Sequence, residues 1–227
     1  MRAMILAAGL GQRMRPLTLT TPKPLLPVAD KPLIVYQIEN LVRAGITEIV
    51  INHAWLGEQI VAYLGEGGDY GCAIRYSAEQ EPLETAGGIV NAMALLDEGG
   101  ETPFMLVNGD VFTTQEYADL DLTLASDQQA KLWLVENQAW HPQGDFALSG
   151  GSVSVEGENK LTFAGISLLR PSLFAGLVKG ESAPLAPLLK AAMVQNRVVG
   201  EQLTSYWNDV GTPERLADVE SFILESR

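Results

Sequence analysis

The chain opens with a short apolar run, Met4–Ala8, that breaks at Gly9-Leu10-Gly11 and passes at once into Arg13, Arg15 and Pro16. Pro22-Lys23-Pro24 and Pro27 follow, so no long helix can begin between the apolar run and residue 27. A buried strand must therefore end at a rim, followed by a glycine-rich, cationic loop. Residues 1–31 hold five Lys and Arg (Arg2, Arg13, Arg15, Lys23, Lys31) against the single acid Asp30, net +4. The other 196 residues carry ten bases against twenty-seven acids, net −17. Such an island suits a polyphosphate: backbone N–H groups approach the phosphates closely and Arg and Lys neutralise them.

At 227 residues and 47% apolar content the chain can bury one sizeable core. A single domain over 1–227 is expected, in two halves of about 1–115 and about 116–227. The formal charge of −13 argues against nucleic acid or an anionic membrane as partner. It also requires an anionic ligand to be admitted at a local positive spot. Cys72 is the only cysteine, which excludes an intrachain disulfide and suits a reducing compartment. No apolar run approaches the ~20 residues of a membrane span. The opening is too short and glycine-broken for a signal peptide. A cytoplasmic protein, monomeric or a small homo-oligomer, is expected.

The first half alternates strand-like and helix-like segments. Strands are predicted at Met4–Ala7, Glu48–Asn52, Ala73–Ser77 and Phe104–Val107, and helices at Leu33–Ala44, Glu58–Leu64 and Ala86–Leu96. This alternation, with wholly apolar strands, implies a parallel sheet covered on both faces, with ligands beyond the carboxyl ends of its strands. Gly9–Arg13 and Asn108–Asp110 both follow strands and should lie at that rim. The second half reads as an antiparallel addition: strands at Lys131–Glu136, Phe146–Leu148, Ser152–Val155 and Thr162–Leu169, a helix at Leu185–Val194, and strands at Val198–Leu203 and Tyr206–Val210. Thr212 is the expected N-cap of a last helix, with Pro213 at its first position. The fold class is α/β: a Rossmann-like mixed sheet flanked by helices, with a small antiparallel addition.

Two familiar phosphate loops fail on the residues. A dinucleotide loop needs Gly-x-Gly-x-x-Gly, and Met14 stands where the third glycine belongs. A Walker loop needs Gly-x-x-x-x-Gly-Lys-Ser/Thr, which is absent. Leu6-Ala-Ala-Gly-x-Gly-x-Arg-Met-x-Pro-Leu-Thr, with Pro22-Lys23-Pro-Leu-Leu, instead resembles the signature of the sugar-1-phosphate nucleotidylyltransferases. Pro82-Leu-Glu-Thr-Ala-Gly-Gly88, Val107-Asn-Gly-Asp110 and Trp207-Asn-Asp209-Val-Gly-Thr-Pro are similar to later segments of that family. The Thr162-Phe-Ala-Gly165-Ile strand and the Val210-Gly-Thr-Pro-Glu-Arg end resemble its compact subgroup, which includes uridylyltransferases of N-acetylmuramate 1-phosphate. Compact guanylyltransferases acting on mannose or heptose phosphates carry similar motifs.

The resemblance implies transfer of a nucleotidyl group from UTP to a sugar 1-phosphate, with N-acetylmuramate α-1-phosphate expected and pyrophosphate released. Guanylyl or other nucleotidyl transfer to a mannose-, heptose- or glucose-type phosphate is the alternative. A non-catalytic nucleotide sensor would not need Arg13, Lys23, Asp110 and Asp209 together. By resemblance Arg13 and Lys23 are the catalytic cations. Ala8, Gly9, Gly11, Gln12, Glu79, Glu84 and Thr85 join them around the nucleotide. Many relatives have Gln where Glu79 stands; a carboxylate accepts from a base N–H but cannot donate, and Gln80 or Glu81 is the substitute if the loop shifts. Asn108, Gly144 and Glu156 match sugar-contacting positions, although Glu156 reads equally well as a solvated hairpin charge. Phe163 reads either as core or as a contact for altered sugar substitution. Asp110 and Asp209, each ending a predicted strand of one sheet, suit Mg²⁺, which favours a few carboxylates plus phosphate oxygens. His53 and His141 have no Cys or His at ligand spacing and are expected to be incidental.

Overall fold

A computed structural model describes residues 1–97 and 99–226. The strands are β1 (Arg2–Leu6), β2 (Pro27–Val28), β3 (Lys31–Pro32), β4 (Glu48–His53), β5 (Ala73–Ala78), β6 (Phe104–Asn108), β7 (Val111–Thr113), β8 (Ala130–Val135), β9 (Phe146–Ser149), β10 (Ser152–Ser154), β11 (Lys160–Leu169), β12 (Val198–Gln202) and β13 (Trp207–Asp209). The helices are α1 (Leu33–Arg43), α2 (Gly57–Leu64), α3 (Glu84–Leu96), α4 (Leu185–Val194) and α5 (Pro213–Glu225). Among the described residues no helix is long and apolar enough to cross a membrane.

Nine strands form one sheet in the order β5-β4-β1-β6-β11-β8-β12-β10-β9. The four from the first half run parallel, as their alternation with helices predicts. β11 enters antiparallel between β6 and β8 and joins the two halves. The addition is not wholly antiparallel: β12, reached from β11 through α4, runs parallel to β8.

Side-chain alternation divides the interior in two. Ala3, Ile5, Ile49, Ile51, Met105 and Val107 face α1 and α2, meeting Ile34, Ile38, Leu41, Ile60 and Leu64. Met4, Val50, Phe104 and Leu106 face α3 and α4, meeting Ile89, Ala92, Leu189 and Met193. α1 also buries two polar residues that its periodicity gives no reason to bury. Gln37 donates to the Val111 carbonyl at 2.5 Å, and Asn40 donates to the Gln115 carbonyl at 2.7 Å while accepting from Tyr117 N–H at 2.9 Å. They hold the segment after β6 against the first helix.

A third, smaller core joins the chain's two ends. Met14, Leu26, Val28 and Leu33 pack against Phe112, Val210 and Val219. β13 lies here, paired antiparallel with β7 in a separate two-stranded sheet. This corrects the expectation that Asp110 and Asp209 end strands of the same sheet. Thr212 caps α5, its side chain accepting from Arg215 N–H at 3.4 Å, and Pro213 starts the helix, as its sequence predicts.

The turn after β6 sets the position of everything that follows. Gly109 N–H donates to the Leu6 carbonyl at 2.9 Å, and a Cβ on Gly109 would lie 2.6 Å from that oxygen. The obstacle is backbone in a central strand and cannot swing away. Gly109→Ala is therefore expected to destabilise the protein by about 1–3 kcal/mol, the usual cost of overpacking, measured as a lower denaturation midpoint in urea.

Candidate active site

The carboxyl ends of β1, β4 and β6 open onto one cleft with three adjoining lobes. The first is lined by Ala8, Gly9, Lys23, Asn52, Glu79, Glu84, Thr85, Asn108 and Asp110, among others. The second runs between Thr85, Asn108 and Phe163 towards Leu185 and Leu189 of α4. The third is lined by Arg13, Asn108, Asp110, Trp140, His141, Asp145, Phe163, Asp209 and Arg215, among others. Asn108 borders all three. Gly165 explains its seat: at φ +70 in the bulge of β11, a Cβ on this residue would lie 2.7 Å from Asn108 Nδ2.

The wall of the first lobe is a chain of oriented hydrogen bonds. Ala7 N–H donates to Asn52 Oδ1 at 2.9 Å, and Asn52 Nδ2 donates to Glu79 Oε1 at 2.7 Å. Leu83 N–H donates to Glu79 Oε2 at 3.0 Å. Glu79 is 7% exposed, and both its oxygens are engaged. Gly88 of α3 leaves it room, since a Cβ there would lie 2.6 Å from Oε1. At the start of α3 the Ala183 carbonyl accepts from Ala86 and Gly87, leaving Glu84 and Thr85 as the α3 residues that face the first lobe. His53, which ends β4, lies outside the lobes; burial lowers its pKa, opposed by the Glu79 and Glu58 carboxylates.

Lys23 and Asp110 form an ion pair of 2.5 Å at the floor, Lys23 being only 12% exposed. Pro22 and Pro24 flank the lysine in a short 3₁₀ turn, which limits the chain's freedom. Across the third lobe Asp209 accepts from Arg215 and, at 3.1 Å, from the indole N–H of Trp140. Val210 N–H donates to the Asp110 carbonyl at 2.8 Å, so two carboxylates about a hundred residues apart in sequence share one corner. His141 pairs with Asp145 at 3.1 Å. Arg13 also lines this lobe and makes no ion pair or side-chain hydrogen bond among the described residues.

The structure thus gathers Ala8, Gly9, Arg13, Lys23, Glu79, Glu84, Thr85, Asn108, Asp110 and Asp209 around one cleft. Gly11 and Gln12 shape the loop rather than line it: Gly11 accepts from the Thr18 hydroxyl at 2.7 Å, and Gln12 starts an exposed 3₁₀ turn. Two residues expected at the sugar do not line the three lobes. Glu156 is exposed in the connection between β10 and β11 and lines none of the three lobes. Gly144 is a turn glycine packed against Asn137 and the Lys160 carbonyl, and its neighbour Asp145 lines the cleft instead. His141, Trp140 and Arg215 line the third lobe and Asn52 the first, positions that the sequence alone did not bring to the cleft. For Asn52 the signal is a polar residue near the end of the apolar strand Glu-Ile-Val-Ile-Asn-His. Trp140 and Arg215 meet only through tertiary contact.

The hydrogen-bond directions give a test. Glu79→Gln places an NH₂ donor against either Asn52 Nδ2 or Leu83 N–H, and Asn52 cannot flip without losing Ala7. One buried donor loses its acceptor, so stability is expected to fall by about 1–3 kcal/mol in thermal or urea unfolding.

Comparison with known proteins follows the same lines. A family model described as nucleotidyl transferase matches residues 2–146. The N-acetylmuramate alpha-1-phosphate uridylyltransferase of Neisseria meningitidis serogroup B is 52% identical, over 97% of this chain and 97% of that one. The mannose-1-phosphate guanyltransferase of Hypocrea jecorina is 31% identical over 94% of this chain, which spans 62% of that longer protein. Among solved structures, a putative glucose-1-phosphate thymidylyltransferase from Bacillus anthracis superposes with a TM-score of 0.83 at 19% identity, over 97% of this chain and 94% of its own. A UDP-glucose pyrophosphorylase superposes with a TM-score of 0.78 at 19% identity over 100% and 99%. The fold, the cleft at the strand ends and these matches agree that the chain belongs to the nucleotidyl transferase family, among its sugar-1-phosphate members.

Proposed function

We propose that the protein transfers the uridylyl group of UTP to N-acetylmuramate α-1-phosphate, giving the UDP-sugar and pyrophosphate. The 52% identity to a uridylyltransferase of that specificity, across nearly the whole of both chains, carries this reading. The guanylyltransferase reading has 31% identity to a protein of which this chain spans 62%.

A phosphate oxygen of the sugar phosphate attacks the α-phosphorus as the bond to the β-phosphate breaks and pyrophosphate leaves. The nucleophile is already an anion at neutral pH, so no side chain need remove a proton. The difficulty is to bring two polyanions together and to steady the charge on the leaving group, which is work for positioned cations. Arg13, with no carboxylate partner among the described residues, is assigned to the leaving phosphates; its planar fork meets two oxygens at once. Lys23 is assigned to the α-phosphate, reached from its place beside Asp110. Ala8, Gly9, Glu84 and Thr85 bound the slot for the base, and the Glu79–Asn52 pair holds its wall. Gly11 and Gln12 contribute through the loop backbone. Asn108 is assigned to the sugar.

Asp110 and Asp209 suit a divalent cation, and we assign Mg²⁺ to them. Each has one carboxylate oxygen in an ion pair and the other free of protein partners among the described residues, with side chains 34% and 33% exposed in the same lobe. The donor set is hard oxygen, with room for phosphate oxygens and water. When bound, the ion supplies positive charge to the phosphates and orients them.

Pyrophosphate release from a panel of nucleoside triphosphates and sugar 1-phosphates, with Mg²⁺ present, tests the reading. UTP with N-acetylmuramate α-1-phosphate is expected to give the highest kcat/KM. Preference for GTP with mannose 1-phosphate would overturn the substrate assignment, and turnover of no pair would overturn transfer itself.

A further inference from the structure

Arg215, in the first turn of α5, is charged, 6% exposed and part of the third lobe. Its Nη1 donates to Asp209, while no hydrogen bond among the described residues engages Nε or Nη2. Neither nitrogen is a fully enclosed atom lacking a partner, and the residue lines the third lobe. The guanidinium carbon lies 4.7 Å from the centre of the Trp140 ring, which fixes its plane. Gly211 clears the space: a Cβ there would lie 2.0 Å from Arg215 Nη2. A buried guanidinium held through Nη1 and with Nε and Nη2 free of hydrogen-bond partners among the described residues can still receive a planar anion.

Resting on the acceptor reading above, we propose that Arg215 is a specificity-determining residue that binds the carboxylate of the acceptor's lactyl ether. The acceptor carries two anionic groups, and its phosphate is committed to the α-phosphorus beside Lys23. Its carboxylate must then leave water inside a protein of net charge −13. The second lobe holds no cation: its charged lining residues are Glu84 and Asp145, and only Thr85 and Asn108 among the remaining side chains can donate a neutral hydrogen bond. His141 is engaged by Asp145. Arg13, the other cation of the third lobe, is assigned to the leaving phosphates, which leaves Arg215 for the carboxylate.

The test compares N-acetylmuramate 1-phosphate with N-acetylglucosamine 1-phosphate, the same ring without the lactyl ether. kcat and KM are measured with UTP for the native protein, Arg215→Gln and Arg215→Lys, and the Kd of each sugar phosphate by calorimetry. Truncating a hydrogen-bonded charge pair should lower the muramate-to-glucosamine ratio of kcat/KM by on the order of tenfold or more in Arg215→Gln, mainly through KM and Kd. Arg215→Lys keeps the charge but loses the fork; it should lower the ratio less, and it answers the question if the glutamine variant does not fold. Equal losses for both acceptors would mean that Arg215 acts only by orienting Asp209, and would overturn the proposal, as would no loss. No turnover of the muramate compound by the native protein would overturn the acceptor reading and this one with it. Turnover with an unchanged ratio in both variants would overturn this one alone.

Discussion

The cleft depends on the close approach of Gly109 to the end of β1. That contact, made backbone to backbone, fixes where β6 stops and where Asp110 stands relative to Ala8 and Gly9. The next residues are held from two sides: Gln37 of α1 binds the Val111 carbonyl, and β13 pairs with β7. Val210 then reaches the Asp110 carbonyl, and Asp209 comes to the corner with it. Small adjustments are costly here because the surroundings are packed strand and helix rather than loop.

Electrostatics in the cleft are arranged in pairs. Asp110 is met by Lys23 and Asp209 by Arg215, within a chain of net charge −13, and Asp145 is hydrogen-bonded to the His141 ring. A highly acidic protein thereby keeps cations at the cleft and prevents its own carboxylates from repelling a phosphate substrate. The cations are already oriented, so the cost of arranging them is met on folding rather than during the reaction. Arg13 stands apart from these pairs, on an exposed turn facing the third lobe.

The strand-and-loop signature at the start of the chain made the parallel half of the sheet and much of the cleft legible in the sequence. Apolar strands next to glycines state both burial and rim, and Met14 and Pro16 exclude the commonest alternative by simple sterics. Other features were hidden because they exist only in three dimensions. β13 reads as a strand but not as a member of a separate ribbon, since pairing partners are not encoded in local pattern. Glu156, expected at the sugar by resemblance, is exposed and outside the lobes, while Asp145, one residue from Gly144, lines the cleft. Trp140 and Arg215 lie 75 positions apart and become informative only when stacked beside Asp209.

The central claim is that Asp110 and Asp209, from distant segments, act as a single divalent-cation site together with the nucleotide. Mn²⁺ binding in the presence of UTP, followed by electron paramagnetic resonance, tests it in the native protein, Asp110→Ala, Asp209→Ala and the double variant. Each single loss is expected to weaken binding strongly, with the double variant little worse than either, since residues sharing one ligand are not additive. Native-like affinity in either single variant, or losses that simply add, would contradict a shared site.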